Sequence, residues 1–122
     1  AASDVYKRQE YDGPAFIHAI SVCPRGWRYD SSCTMKISRL ATETCLHPLW
    51  EFIPETREYR ITDRSLYIAK NPDKKLPIEE YLKLQGRFRH LFKPERRDDL
   101  INEIQQRVDK EWNYLLRLAG FA

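Results

Sequence analysis

The sequence predicts an α/β fold with a few strands and a long C-terminal helix, and three patterns carry that expectation. Ala15–Val22 is a nearly continuous apolar run of strand length, entered by Gly13-Pro14 and rich in the β-favouring residues Phe16, Ile17, Ile20 and Val22. Leu49–Ile53 and Glu58–Ile61 are two shorter runs joined through Pro54-Glu55-Thr56, the pattern of a hairpin. Leu100, Ile104, Val108, Trp112 and Leu115 recur at spacings of four, four, four and three, one apolar stripe along a helix.

Taken in order, residues 1–10 are expected to be a non-native or disordered head, because Ala1–Gln9 shows no periodicity and no initiator Met precedes it. Residues 11–122 form the domain proper. Ala15–Val22 suits a central strand covered on both faces, with His18 as a satisfied core histidine. Cys23–Ser32 is loop, with turn chemistry at Pro24, Gly26 and Asp30-Ser31-Ser32. A helix is predicted over Met35–Cys45, with Thr34 as N-cap and Ile37, Leu40, Ala41 and Thr44 facing the sheet; His47-Pro48 ends it. After the hairpin, Ser65–Leu76 reads as irregular, with a weak strand at Leu66–Ala69. Pro77 opens a helix over Ile78–Leu84, Gly86 interrupts, and Arg87–Leu91 adds a helical turn. Pro94 opens the longest helix, running to Leu118 and followed by Gly120.

At 122 residues the chain is one domain or a piece of one. The net charge of +3, from 21 basic and 18 acidic side chains, is too small an excess for a dedicated nucleic-acid binder, and no basic run is interleaved with aromatics. The longest apolar stretch is short and broken by His18, so no membrane span or secretory core is expected. An odd count of three cysteines, none in a CxxC pair, points to a reducing cytoplasm rather than a disulfide framework.

Cys23 is the residue with the most chemistry around it. A thiol at the tip of a strand, inside a loop formed by Pro24 and Gly26, is a common presentation of a metal ligand; a buried free thiol is the plainer reading of any cytoplasmic cysteine. Cys33 and Cys45 fit that plainer reading. Cys23, Cys33, Cys45 and His47 have the count for a zinc tetrahedron, but spacings of ten, twelve and two match no usual pairing. His90 has no serine or carboxylate at a telling distance, and no P-loop or GxGxxG occurs. Glu79-Glu80 and Asp98-Asp99 fall in first turns of predicted helices, where they offset the macrodipole. Trp27, Trp50 and Trp112 read as core or interface aromatics. The basic residues Lys83, Arg87, Arg89, Lys93, Arg96 and Arg97 read as a solvated face with ion pairs, the sharper alternative being a docking patch for an acidic partner.

Several segments carry a family resemblance: Gly13-Pro14-Ala15-Phe16-Ile17-His18, Cys23-Pro24-Arg25-Gly26-Trp27-Arg28, Ile37–Thr44, Pro48–Glu51 and Pro77–Phe88. Over about Tyr11–Trp112 the chain resembles the C-terminal third of the thiamine diphosphate-binding β subunit of 2-oxoacid:ferredoxin oxidoreductases, pyruvate synthase type. The resemblance implies a piece of a thiamine-enzyme domain, inactive alone. The complete enzyme would decarboxylate a 2-oxoacid oxidatively with coenzyme A and pass electrons through [4Fe-4S] clusters to ferredoxin, the cofactors supplying the difficult chemistry. Cys23 matches the one ligand this region gives the cluster nearest the thiamine, with Pro24, Gly26 and Trp27 supporting its loop. Cys-Pro-x-Gly-Trp leans towards pyruvate or a branched-chain relative over 2-oxoglutarate. The implied partners are the rest of the β subunit, other subunits and ferredoxin, with no nucleic acid and no membrane. Catalytic residues, thiamine diphosphate and Mg2+ sites are expected elsewhere in the subunit, since the family's CxxC pair, GDG segment and following Asn are absent here. Arg25 stands where a small hydroxyl residue is expected, and Cys45 where Gly is usual. The rival class is a non-catalytic interaction module or zinc-stabilised module, which would lose structure to a chelator.

Overall fold

The computed structural model describes residues 2–121; Ala1 and Ala122, the outer ends of the predicted head and domain, lie outside the described residues. Ala2–Gln9 forms helix α1, where the sequence predicts no regular structure. From Asp4 onward its side chains are exposed, and Lys7 Nζ lies 3.5 Å from Glu51 Oε2.

The predicted strand at Ala15–Val22 does not form. Residues 14–23 are irregular and belong to no ladder. Phe16 is 90% exposed and Ile17 43%, and His18, expected in the core, lies at the surface with its ring edge-on to His47 at 5.3 Å. Strand propensity describes a side-chain fit to a pleated surface, and a strand also needs a neighbour for its N–H and C=O groups. Among the described residues the two strands present pair with each other, so this run has none.

A single turn, α2 (Pro24–Trp27), leads to a 3-10 turn at Ser31–Cys33. Asp30 caps it, accepting from the Ser32 hydroxyl at 2.6 Å and the Ser32 N–H at 2.9 Å, which in that order hold its carboxyl below the usual range. Helix α3 is Thr34–Glu43, so Thr34 is its first residue rather than its N-cap; its hydroxyl donates to the Ser31 carbonyl at 2.7 Å. The predicted face is correct, with Ile37, Leu40, Ala41 and Thr44 all buried. Its partner is not a sheet, however. It enters one core cluster with Ile78, Tyr81, Leu82, Leu91, Ile101 and Val108, all from the C-terminal half of the chain. The helix stop also differs: Cys45 itself takes the left-handed step at φ 60°, donating its N–H to the Thr42 carbonyl at 2.9 Å, and His47 N–H returns to the Ala41 carbonyl at 2.8 Å. A non-glycine residue pays about 1 kcal/mol for that conformation, which burial of the thiol offsets.

The hairpin forms as predicted: β1 (Trp50–Ile53) and β2 (Glu58–Ile61) are antiparallel, with Trp50 opposite Ile61 and Phe52 opposite Tyr59. Two strands alone are marginal in water. Here Ile61 anchors them by packing with Cys45, Ile68, Trp112 and Leu115 in a second core cluster. The weak strand expected at Leu66–Ala69 is instead part of helix α4 (Asp63–Lys70). Ser65 and Ile68 are buried and Leu66 and Ala69 half-buried, a helical spacing. Ser65 Oγ accepts Leu49 N–H at 2.8 Å, fixing the hairpin entry.

A 3-10 turn at Pro72–Lys74 precedes α5 (Glu79–Leu82), shorter than predicted, and a longer 3-10 segment covers Gly86–Leu91. Helix α6 (Asp98–Leu118) starts four residues after Pro94, because Arg97 N–H first turns back to the Leu91 carbonyl at 2.8 Å. Its buried face is Ile101, Val108, Trp112 and Leu115, with Leu100 and Ile104 at the edge. A strict four-residue repeat drifts around a helix of 3.6 residues per turn, so the predicted stripe leaves the core face at its N-terminal end. Gln105 Oε1 accepts the buried Ile78 N–H at 2.7 Å, and Asp109 pairs with Lys75 at 2.6 Å.

Two outcomes follow. Ile37→Ala, at a fully buried site, is expected to lower unfolding free energy by about 2–5 kcal/mol in denaturant titration. Burial pushes the Cys45 thiol from its ordinary 9.0 up to about 12, with Lys75 opposing and Asp109 reinforcing. The unfolded thiol ionises first, so the stabilisation from Cys45 is complete below pH 9 and disappears as pH rises towards 12. The stability difference between wild type and Cys45→Ala should therefore shrink across that window in alkaline titration.

Candidate functional site

Cys23 closes the irregular segment and opens α2, with extended backbone and an exposed side chain. Its Sγ accepts the Gly26 N–H at 3.3 Å, and its carbonyl accepts the Trp27 N–H at 2.9 Å. Pro24 fits the first helical position, where no N–H is needed. Arg28 then takes the left-handed conformation at φ 56°, and the Pro24 carbonyl accepts Tyr29 N–H at 3.1 Å. A Cβ added at Gly26 would stand 3.4 Å from the Cys23 sulfur, inside the space this turn leaves beside it. The result is an accessible thiol with a backbone donor aimed at its sulfur, a donor set suited to a thiolate bound to metal.

The turn is docked on the C-terminal half. Gly86 N–H donates to the Arg28 carbonyl at 2.7 Å, and a Cβ at Gly86 would meet that oxygen at 2.7 Å and Arg28 Cβ at 2.8 Å. Only glycine permits this approach. Val22, Trp27, Tyr29 and Cys33 pack against the main core, and the Arg87 guanidinium lies 3.9 Å from the Trp27 ring centroid. Nothing in the residue spacing signals these contacts, which join segments far apart in sequence.

The other candidates separate. Cys33 is half-buried at the start of α3, and Cys45 is buried in the second cluster. His47 faces His18, and burial first, then that neighbour, lowers its pKa. Among the described residues no three His, Cys, Asp or Glu side chains are placed to hold one metal ion, so Cys23, Cys33, Cys45 and His47 do not assemble a zinc site. His90 is exposed. Trp112 is core, Trp27 half-buried, and Trp50 is 49% exposed on the hairpin's aromatic face with Phe52 and Tyr59. Half of the basic run resolves into ion pairs: Lys83 with Glu80, Arg97 with Asp99, and Arg96 with both Glu79 and Asp98. Arg96 holds the Glu79 carboxyl below its usual range. Arg89 and Lys93 stay exposed beside an open groove.

Gly86→Ala should therefore cost about 1–3 kcal/mol by overpacking against the Arg28 backbone. Denaturant titration measures the loss, and alkylation of Cys23 should speed up as its turn is released.

No protein-family model matches the chain. Pyruvate synthase subunit PorB of Thermotoga maritima is 40% identical over 114 residues, covering 93% of this chain and 32% of that subunit. PorB of Methanosarcina barkeri is 43% identical over 109 residues, 89% of this chain and 33% of the relative. Ketoisovalerate oxidoreductase subunit VorB of Pyrococcus abyssi is 40% identical over 114 residues, again 93% and 32%. The chain thus spans about a third of the length of the curated relatives it matches. Across about nine tenths of its own length it is homologous to the subunits named pyruvate synthase PorB and ketoisovalerate oxidoreductase VorB, and it corresponds to about a third of such an oxidoreductase subunit.

Proposed function

We propose that this chain works as part of the thiamine-binding β subunit of a 2-oxoacid:ferredoxin oxidoreductase, and that Cys23 is its one ligand to a [4Fe-4S] cluster. The observation that carries this reading is the Cys23 turn: an exposed sulfur, a backbone N–H directed at it, and a glycine leaving room beside it. A cluster takes four thiolates, and among the described residues no three His, Cys, Asp or Glu side chains are placed to hold a metal, so its companions come from elsewhere in the enzyme. The cluster would supply single-electron transfer, and thiamine diphosphate with Mg2+ would supply the decarboxylation chemistry; no residue of this chain is assigned to either of the latter. The residues of this chain hold the sulfur in place, donate to it through Gly26, and shape its loop through Pro24 and Trp27.

The unpaired apolar run at Ala15–Val22 supports the same reading. Phe16, Ile17 and Ile20 are exposed although their chemistry suits a strand covered on both faces. We propose that this run pairs with strands of the remaining subunit and so delivers Cys23 to the edge of a larger sheet. The names of the relatives support pyruvate or a branched-chain 2-oxoacid as substrate. Coenzyme A is the acyl acceptor, and ferredoxin and the other subunits are the partners. No described helix is long and apolar enough to cross a membrane. Three free cysteines support a cytoplasmic setting.

The test is Cys23→Ser in the assembled enzyme. Loss of one cluster's paramagnetic signal, with acceptor reduction falling by at least about two orders of magnitude, is expected when a ligand to an electron-carrying cluster is removed. An unaltered spectrum and undiminished acceptor reduction would refute the reading.

A further inference from the structure

The Cys23 turn is braced from behind by one half-buried cation, and we infer that Arg87 is the positioning residue of this turn. Its guanidinium covers the Trp27 ring at 3.9 Å and the Phe88 ring at 4.6 Å. Nε donates to Gln85 Oε1 at 2.7 Å, and Nη2 donates to the Tyr81 hydroxyl at 3.1 Å. Gln85 is itself fixed, its Nε2 donating to the Tyr81 carbonyl at 2.8 Å, and both residues are 2% exposed. A planar fork held by two oriented acceptors and stacked on an indole has little freedom left.

Arg87 also differs from the cations around it. Lys83, Arg96 and Arg97 each pair with a carboxylate, whereas Arg87 has no carboxylate partner among the described residues. Its neighbours are neutral acceptors and aromatic faces, so no ion pair offsets its charge. A cation serving only solubility would sit in water, not over a half-buried tryptophan. The contacts run without a break from the buried Tyr81 and Gln85, through Arg87, to the ring of Trp27, a residue whose backbone N–H donates to the Cys23 carbonyl.

Two effects follow. The stack fixes the orientation of the turn and hence of the sulfur. The charge, free of an ion pair, would favour the more negative, reduced state of an iron–sulfur group held at Cys23. This second effect rests on the proposed ligand role of Cys23; the first does not.

Amide hydrogen exchange of the chain separates them from simple stability. In both Arg87→Met and Arg87→Lys, exchange at Gly26, Trp27 and Tyr29 should accelerate roughly tenfold, the scale of one cation–π contact, because lysine keeps the charge but not the fork. Exchange in α6 should change less than about twofold, since local opening leaves the rest of the fold intact. Unchanged exchange at Gly26 and Trp27 overturns the positioning role, and so does uniform acceleration throughout α6 in Arg87→Lys; that lysine variant decides the matter if Arg87→Met does not fold. In the assembled enzyme, Arg87→Met should lower the midpoint potential of the affected cluster while Arg87→Lys retains most of it; equal potentials in wild type and Arg87→Met overturn the electrostatic effect. A loosened turn in the Arg87 variants, alongside an unaltered cluster spectrum in Cys23→Ser, would uphold the positioning role and reject the ligand reading.

Discussion

The apolar face of α6 is the constraint along which the fold is arranged. Ile101 and Val108 enter the cluster that receives α3, α5 and the Gly86–Leu91 segment, while Trp112 and Leu115 enter the cluster that receives Ile61 and α4. One rigid rod of 21 residues therefore sets the distance between the two cores. Its polar edge matters as well. Gln105 satisfies the buried Ile78 N–H, and Asp109 draws in Lys75 beside the buried thiol of Cys45. Unsatisfied, such a donor would cost about 1–3 kcal/mol.

The Cys23 turn depends on this scaffold at one remove. The turn itself is only four residues long and stores little stability of its own. Its position comes from a backbone bond to Gly86 and from the Arg87–Trp27 stack, both carried by the segment that α5 and α6 hold against α3. In the proposed ligand role the sulfur would gain from such support, because ligand placement is controlled by the residues behind the ligand as much as by the ligand itself.

Two apolar surfaces remain open: the run at Ala15–Val22, and the hairpin face bearing Trp50 and Phe52. Isoleucine and tryptophan, exposed on these surfaces as Ile17, Ile20 and Trp50, lie in the core elsewhere in this chain, as Ile61 and Trp112 do. Large apolar surfaces left in water usually mark contact with another body of protein. Homology covering a third of the related subunits agrees with that inference.

Sequence alone determined the elements whose cause is local. The amphipathic face of α3, the hairpin and its turn, and the existence of the long C-terminal helix were all legible, because periodicity and turn residues act over a few neighbours. Tertiary structure decided the rest. Leu66–Ala69 became helix because Ser65 and Ile68 had a core to face, and Ala15–Val22 stayed unpaired because a strand is completed by its neighbour. The docking of Gly86 on Arg28 and of Arg87 on Trp27 joins residues distant along the chain. No spacing rule encodes such contacts; they exist only once packing has brought the two segments together.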